Sequence, residues 1–249
     1  MDEGREQVVE QLIAALTDPE REVRLQAALA LYRLHDRQAV PQLIAALASP
    51  DEYVRAVAAQ ALAELEDARA VPPFIELLQR GEYGDVRDNA GAAAAQGLGR
   101  LGDRRAVDAL TGALAHPHVH QQAVEALARL GDMRAVEPLI AALRTTKNPS
   151  VATVLGNLHD RRAVEPLLAE LQTIQLPRPA SARDRRWQDI YFYYVVRALG
   201  KLGDPRALPL LEWVREHETA PVLKGRSIGE MAAKAIQHIQ EQHEPDAHA

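Results

Sequence analysis

The sequence predicts an all-α protein, a right-handed α-solenoid of about seven stacked helix pairs, and three observations carry that expectation. The first is an internal repeat. Residues 7–36 (QVVEQLIAALTDPEREVRLQAALALYRLHD) match residues 38–67 (QAVPQLIAALASPDEYVRAVAAQALAELED) at an offset of 31, and a period of that length marks stacked supersecondary units. The second is the recurrence of both ends of that unit. Its opening returns as RAVPPFIELL (69–78), RAVDALTGAL (105–114), RAVEPLIAAL (134–143), RAVEPLLAEL (162–171) and RALPLLEWVR (206–215). Its closing returns as LGRLGD (98–103), LARLGD (127–132), LGNLHD (155–160) and LGKLGD (199–204). The third is composition: 47% of residues are hydrophobic but only 4% aromatic, so the core is built from small aliphatic side chains, which suit closely packed helices.

Each unit reads as two helices. In the first, Val40, Leu43, Ile44 and Leu47 share one face at helical spacing. Pro41 falls in its first turn, where a missing N–H costs little. The turn SPDE (49–52) follows, with the Ser, Pro and Asp that start helices. The second helix, 53–65, carries Val54, Ala58, Ala61, Leu62 and Leu65 on one face, and the closing LGD places Gly where a helix end favours positive φ. Neither helix buries its stripe alone, so units must stack into a solenoid. The expected organisation is one solenoid over 1–240, with an inter-helix insertion at 172–187 and a polar, disordered tail at 241–249.

Three units depart from the pattern. The third carries about five extra residues around RGEYGDVRDNAGAAAAQGLGRLGD (80–103), read either as a second helix starting a turn early or as a longer loop. The fifth is short, and Pro149 stands where its second helix would already be running, so that helix is expected to begin late. The sixth departs most, since its spacing to the next unit is 44 residues. Pro177, Pro179, Ser181 and the charges around them predict a loop over 172–185.

The stretch RDRRWQDIYFYY (183–194) then begins the second helix of the sixth unit. Aligning Leu199 with Leu62 puts Tyr191 in the core slot of Val54, with Phe192 also inward. On a wheel of 100° per residue, Trp187, Ile190, Tyr194, Arg197 and Lys201 fall within about 80° of one another, opposite the core. Trp, Tyr and Arg are the residue types enriched at binding hot spots. The alternative is that the loop folds back over these rings and makes a closed satellite core.

The consensus AVxPLIxAL…VRxxAAxALxxLGDxRAV resembles the HEAT-like repeats named after the phycobiliprotein bilin lyases, and the resemblance covers the chain from about residue 7 to 240. It implies an α-solenoid whose second helices line the concave side. Slots equivalent to Ile190, Tyr194, Arg197 and Lys201 are then Tyr53, Val57, Gln60 and Glu64 in the second unit, and His118, Gln122, Glu125 and Arg129 in the fourth. In the fifth they are Thr146, Ser150, Thr153 and Asn157. Such a mixed, polar row suits a protein surface or extended peptide better than a deep apolar pocket.

Other chemistries find little support. A net charge of −6 argues against nucleic acid as a general partner, because phosphate binding needs a basic field. Arg178, Arg183, Arg185 and Arg186 beside Trp187 form one local basic cluster, but no continuous basic track accompanies it. The absence of cysteine excludes disulfides and thiolate metal sites. HPHVH (116–120) offers three histidines, yet His120 takes the arginine slot of the repeat and no carboxylate lies in the run. The pairs His217–Glu218 and His243–Glu244 lack the helical, multi-copy placement of the HEAT-repeat di-iron hydroxylases. GLGRLG (97–102) sits at a helix end with no strand before it, so it is not a phosphate loop. The recurring Arg24 and Arg55, and Asp36, Asp67, Asp103, Asp132, Asp160 and Asp204, read as structural hydrogen bonding in the turns that every unit shares.

The expectation is therefore a non-catalytic protein–protein interaction scaffold, cytoplasmic, with no cofactor, metal or membrane partner. Its partner would be another protein or an extended peptide. The binding residues would be Tyr53, Gln60, Gln122, Glu125, Arg183, Arg185, Arg186, Trp187, Ile190, Tyr194, Arg197 and Lys201. The alternative is a bilin-lyase-like or chaperone protein that binds a tetrapyrrole and its acceptor protein.

Overall fold

The computed structural model describes residues 3–34, 37–81, 89–175, 181–218, 220–223 and 225–243. Asp36, Arg178, Glu244, residues 82–88 and 176–180, and most of the expected tail lie outside them. Among the described residues the fold is an all-α solenoid whose helices fall into seven consecutive pairs. The chain divides into two compact units, Met1–Gly131 and Asp132–Ala249.

The first unit holds four pairs: α1 (Glu3–Ala15) with α2 (Arg21–Leu34), α3 (Val40–Ala46) with α4 (Glu52–Leu65), α5 (Val71–Arg80) with α6 (Ala90–Leu101), and α7 (Val107–Ala113) with α8 (His120–Leu130). The second holds three: α9 (Val136–Thr146) with α10 (Pro149–Leu158), α11 (Val164–Gln172) with α12 (Ala182–Leu202), and α13 (Leu208–His217) with α14 (Ile228–His243). Between α13 and α14 the turn is an antiparallel pair of short strands, β1 (Pro221–Leu223) and β2 (Arg226–Ser227).

The pairs form because their ends are chemically marked. Asp51 caps α4 by accepting from the Tyr53 and Val54 amides. Asn148 caps α10 through the Ser150 amide at 2.8 Å, with Pro149 in its first turn, so this helix begins late, as its proline predicts. Gly102, Gly131 and Gly203 end α6, α8 and α12 in the left-handed region. Each of Asp67, Asp103, Asp132, Asp160 and Asp204 then caps a three-residue 3-10 turn through the amide two residues on. The arginine that bears that amide folds its guanidinium back onto the same carboxylate, from 2.6 Å at Asp103 to 3.1 Å at Asp132. The recurring aspartates are thus spent on turns, as expected of residues present in every unit.

The core is Val54, Ala58 and Leu62 of α4 and their equivalents, fully buried with little aromatic mass. Small residues let successive second helices approach closely. A Cβ added at Gly156 of α10 would stand 2.8 Å from Ala198 Cα of α12, and one at Gly200 would stand 2.7 Å from Ala235 Cβ of α14. In the first unit Gly99 meets Ala126 in the same way, at 2.7 Å from its Cα. The first glycine of GLGRLG, Gly97, packs against Phe74 and Ala63. The motif is helix packing, and not a phosphate loop.

The largest departure from expectation is in the sixth unit. The loop predicted over 172–185 is replaced at both ends by helix: residues Thr173–Gln175 form a 3-10 turn and α12 starts at Ala182. Ser181 caps it by accepting from the Asp184 amide at 3.4 Å, which satisfies one of the free N–H groups of a helix start. A run whose proline and charge suggest a loop thus becomes helix once a Ser N-cap is available after the last proline.

Candidate functional site

The predicted binding residues fall into two groups, one in each unit. In the first unit, the second helices α4, α6 and α8 present equivalent slots side by side. Gln60 of α4, Gln96 of α6 and Glu125 of α8 occupy one slot, and Val57, Ala93 and Gln122 another. They line a recess of about 180 Å³, which exists because α6 offers only Ala92 and Ala93 where larger side chains would fill it. The structure thus brings Gln60, Gln122 and Glu125 together. It adds Gln96 and Asn89, which the extra residues of the third unit hide; aligning Leu98 with Leu62 places both.

Much of the α4 row is already engaged within the protein. The Arg21 guanidinium lies over the Tyr53 ring at 5.0 Å, although Tyr53 remains 37% exposed. The Tyr32 hydroxyl donates to Glu64 at 2.9 Å, and Gln60 Nε2 donates to that hydroxyl at 3.4 Å.

In the second unit the group lies along α12. This helix has 21 residues against 14 in α4. With Leu199 aligned to Leu62, the seven extra residues all precede the repeat and hold Arg183, Arg185, Arg186 and Trp187. From Arg183 to Trp187 every side chain is exposed. Trp187 is 54% exposed, so among the described residues no closed satellite core covers it. Ile190, Tyr194 and Lys201 are half-buried and Arg197 is exposed. The Tyr194 ring stands edge-on to the buried Tyr193 ring, with centroids 5.6 Å apart. Arg183 falls on the Trp187–Lys201 row and Arg186 on its flank, whereas Arg185 lies about 200° round the helix from Arg183. The three arginines expected to act together are therefore split between two sides.

The inward side anchors the row. Tyr191 and Phe192 are buried, as expected. The Tyr191 hydroxyl donates to the buried Glu170 of α11 at 3.1 Å, and Lys147, at the C-terminal end of α9, pairs with the same oxygen. Burial first, and then the Glu170 charge, raise the Tyr191 hydroxyl above the usual phenol range, so it stays a donor. No spacing in the sequence links residues 147, 170 and 191. Lys201 donates to Asn157 of α10, and burial, followed by repulsion from Arg197, lowers its proton affinity.

His120, His217 and His243 bond backbone carbonyls through their rings. His120 Nδ1–H donates to the Leu114 carbonyl at 2.8 Å. Arg24 and Arg55 reach the carbonyls of Asp18 and Ser49 from the same slot, each at 2.8 Å. His217 stacks on Trp213 at 4.4 Å and bonds its carbonyl. Among the described residues no cluster of His, Asp or Glu could hold a metal ion, and no helix is long and apolar enough to cross a membrane.

Comparison with known proteins agrees with this architecture. The family model for HEAT repeats matches residues 9–93 and 89–158, and that for the PBS lyase HEAT-like repeat matches residues 192–216. No curated protein matches the chain in sequence. Among solved structures, the complex of CpcE and CpcF of phycocyanin lyase from Nostoc sp. PCC7120 contains a chain with TM-score 0.51 and 24% identity, matched over 94% of both chains. An engineered protein is similar at TM-score 0.46 and 17% identity, over 94% of this chain and 96% of that one. A chain from a cadherin and beta-catenin study matches at TM-score 0.47 and 17% identity, over 92% of this chain and 52% of its own. The likeness to the phycocyanin lyase complex corrects the expectation of a non-catalytic protein. A chain of a phycocyanin lyase complex shares this fold, so the lack of a recognisable catalytic motif is no ground for excluding an enzymatic role.

Proposed function

We propose that this chain, which belongs to the HEAT-repeat family, binds a partner protein through the outward row of α12, with the second-helix slots around Gln60, Gln122 and Glu125 as a further contact surface. One observation carries the reading: Trp187 stands 54% exposed on α12, which at 21 residues is the longest helix among the described residues. A large ring left in water is a cost to the isolated protein and a typical anchor of an interface. The reading concerns recognition and applies equally to a scaffold and to a subunit of an enzyme.

The test is capture from a lysate of the source organism with wild type and with Trp187→Ala/Tyr194→Ala/Arg197→Ala. Both should melt alike, and a protein held by wild type should be lost by the variant. Equal retention would move the interface off α12. A second reading, tetrapyrrole binding, is favoured by the PBS lyase HEAT-like match at 192–216, which includes Tyr194, Arg197 and Lys201. It requires a shifted visible absorption when a bilin is mixed with the protein, lost in the same variant.

A further inference from the structure

We infer that the α12 row docks an acidic segment of a second protein, one that also carries an apolar side chain to lie against Trp187. The inference rests on the partner-binding reading and narrows it to one class of partner.

The argument is charge complementarity. Within the second unit, the arginines that follow the turn aspartates are neutralised at home. Arg134, Arg162 and Arg206 pair with Asp132, Asp160 and Asp204. Arg162 and Arg206 reach Glu137 and Glu165 as well, and Lys147 pairs with Glu170. Carboxylates are therefore plentiful in this unit. Yet among the described residues Arg183, Arg186 and Arg197 have no ion pair or hydrogen bond. Lys201 has only the neutral Asn157, and it lies one turn from Arg197 with no counter-charge between them. Two cations held side by side repel at a cost that an incoming carboxylate would remove.

The order along the helix is cation, ring, aliphatic, ring, cation, cation: Arg183, Trp187, Ile190, Tyr194, Arg197, Lys201. At 1.5 Å per residue it spans about 27 Å, the length of an 18-residue helix or about eight residues of extended chain. Acidic residues at both ends of such a segment and an apolar one between them would meet the row in register. A nucleic-acid strand fits less well. It needs a basic track, and here the charges are separated by Ile190 and Tyr194, while Asp184 and Asp189 lie on the same helix.

The experiment is panning of a random 16-residue peptide display library on the full chain, wild type and Arg183→Glu/Arg186→Glu/Arg197→Glu, with matched melting curves. If the triple variant does not fold, Arg183→Gln/Arg197→Gln replaces it. Wild type should enrich net-acidic peptides containing a large apolar residue. The charge-reversed variant should lose them or enrich basic ones. The leading peptide, followed by Trp187 fluorescence in a Trp213→Phe background, should bind at least about tenfold more weakly to the variant and equally to Arg185→Glu. Trp187→Ala, read by isothermal titration, should cost about 30-fold. Four results would overturn the inference: no enrichment, enrichment without acidic bias, an acidic bias that survives charge reversal, or tighter binding of a 20-nucleotide oligothymidylate than of any peptide. If lysate capture still depends on Trp187 and Tyr194 in those cases, only the acidic chemistry falls. If capture fails as well, α12 is not a docking surface.

Discussion

Helices α4 and α12 occupy the same place in the repeat and use it differently. Both bury Val or Tyr, Ala or Val, and Leu at equivalent slots, and both end at an aspartate-capped turn. On the outer row they diverge. Around α4, Tyr53 lies under Arg21, while Gln60 and Glu64 meet Tyr32 of the neighbouring pair. On α12, Trp187 and Arg197 have no such partner among the described residues. The row of α4 is closed by its own neighbours; on the row of α12, Trp187 and Arg197 stay exposed. Equivalence of slot in a solenoid therefore fixes what a residue packs on, and not what its outer face does.

Four measurements would break or sharpen that contrast. The largest effect belongs to what the helices share, close approach to the next second helix. Gly156→Val would drive a side chain into Ala198 of α12, 2.8 Å from its Cα, and should destabilise the second unit by about 3 kcal/mol in denaturant unfolding. A loss under about 0.5 kcal/mol would mean the helices can separate at no cost. Next comes the inward anchor special to α12. Tyr191→Phe removes the hydroxyl that bonds Glu170 and should cost about 1.5 kcal/mol, since the acceptor is a charged group.

The third comparison is by pH. Arg69 and Arg206, chiefly through side-chain hydrogen bonds, hold Asp67 after α4 and Asp204 after α12 at about 2, below the usual 3.8. A depressed carboxylate contributes stability that is complete above its unfolded value and is lost as pH falls through the folded one. Stability should thus fall between about pH 4 and pH 2. Asp67→Asn and Asp204→Asn should flatten that limb to similar degrees when unfolding is followed by circular dichroism. Unequal flattening would show that the two helix ends are not alike.

The smallest effects separate the outer rows themselves. Tyr32→Phe should cost about 1 kcal/mol, because it removes the Tyr32–Glu64 bond. Arg197→Ala should change stability by less than about 0.5 kcal/mol. Similar losses for both would mean that the α12 row is also closed.

How legible all this is in the sequence differs by residue. The buried Tyr191 and exposed Trp187 followed from one alignment, Leu199 on Leu62, because helical period alone decides which side faces the neighbours. The late start of α10 followed from Pro149. The extent of α12 did not: Pro177, Pro179 and the arginines suggested a loop to 185, while the Ser181 cap makes helix from Ala182. Arg185 was grouped with Arg183 and Arg186 for the same reason, since a loop has no opposite sides and a helix has. Gln96 was legible in principle but hidden by the extra residues of the third unit, and Glu170 carried no signal at all.

By itself the sequence determined the helix pairs, their number, the residues of the core and the aspartate turns. Each of these rests on contacts within a unit or repeated identically in the next, so a period of about 31 residues encodes them directly. Only the tertiary structure decided which polar side chains are already taken. Tyr32 with Glu64, and Lys147 with Glu170 and Tyr191, join residues from different pairs at separations that no pattern repeats. Whether a surface side chain is spent at home or left free is a property of that three-dimensional neighbourhood.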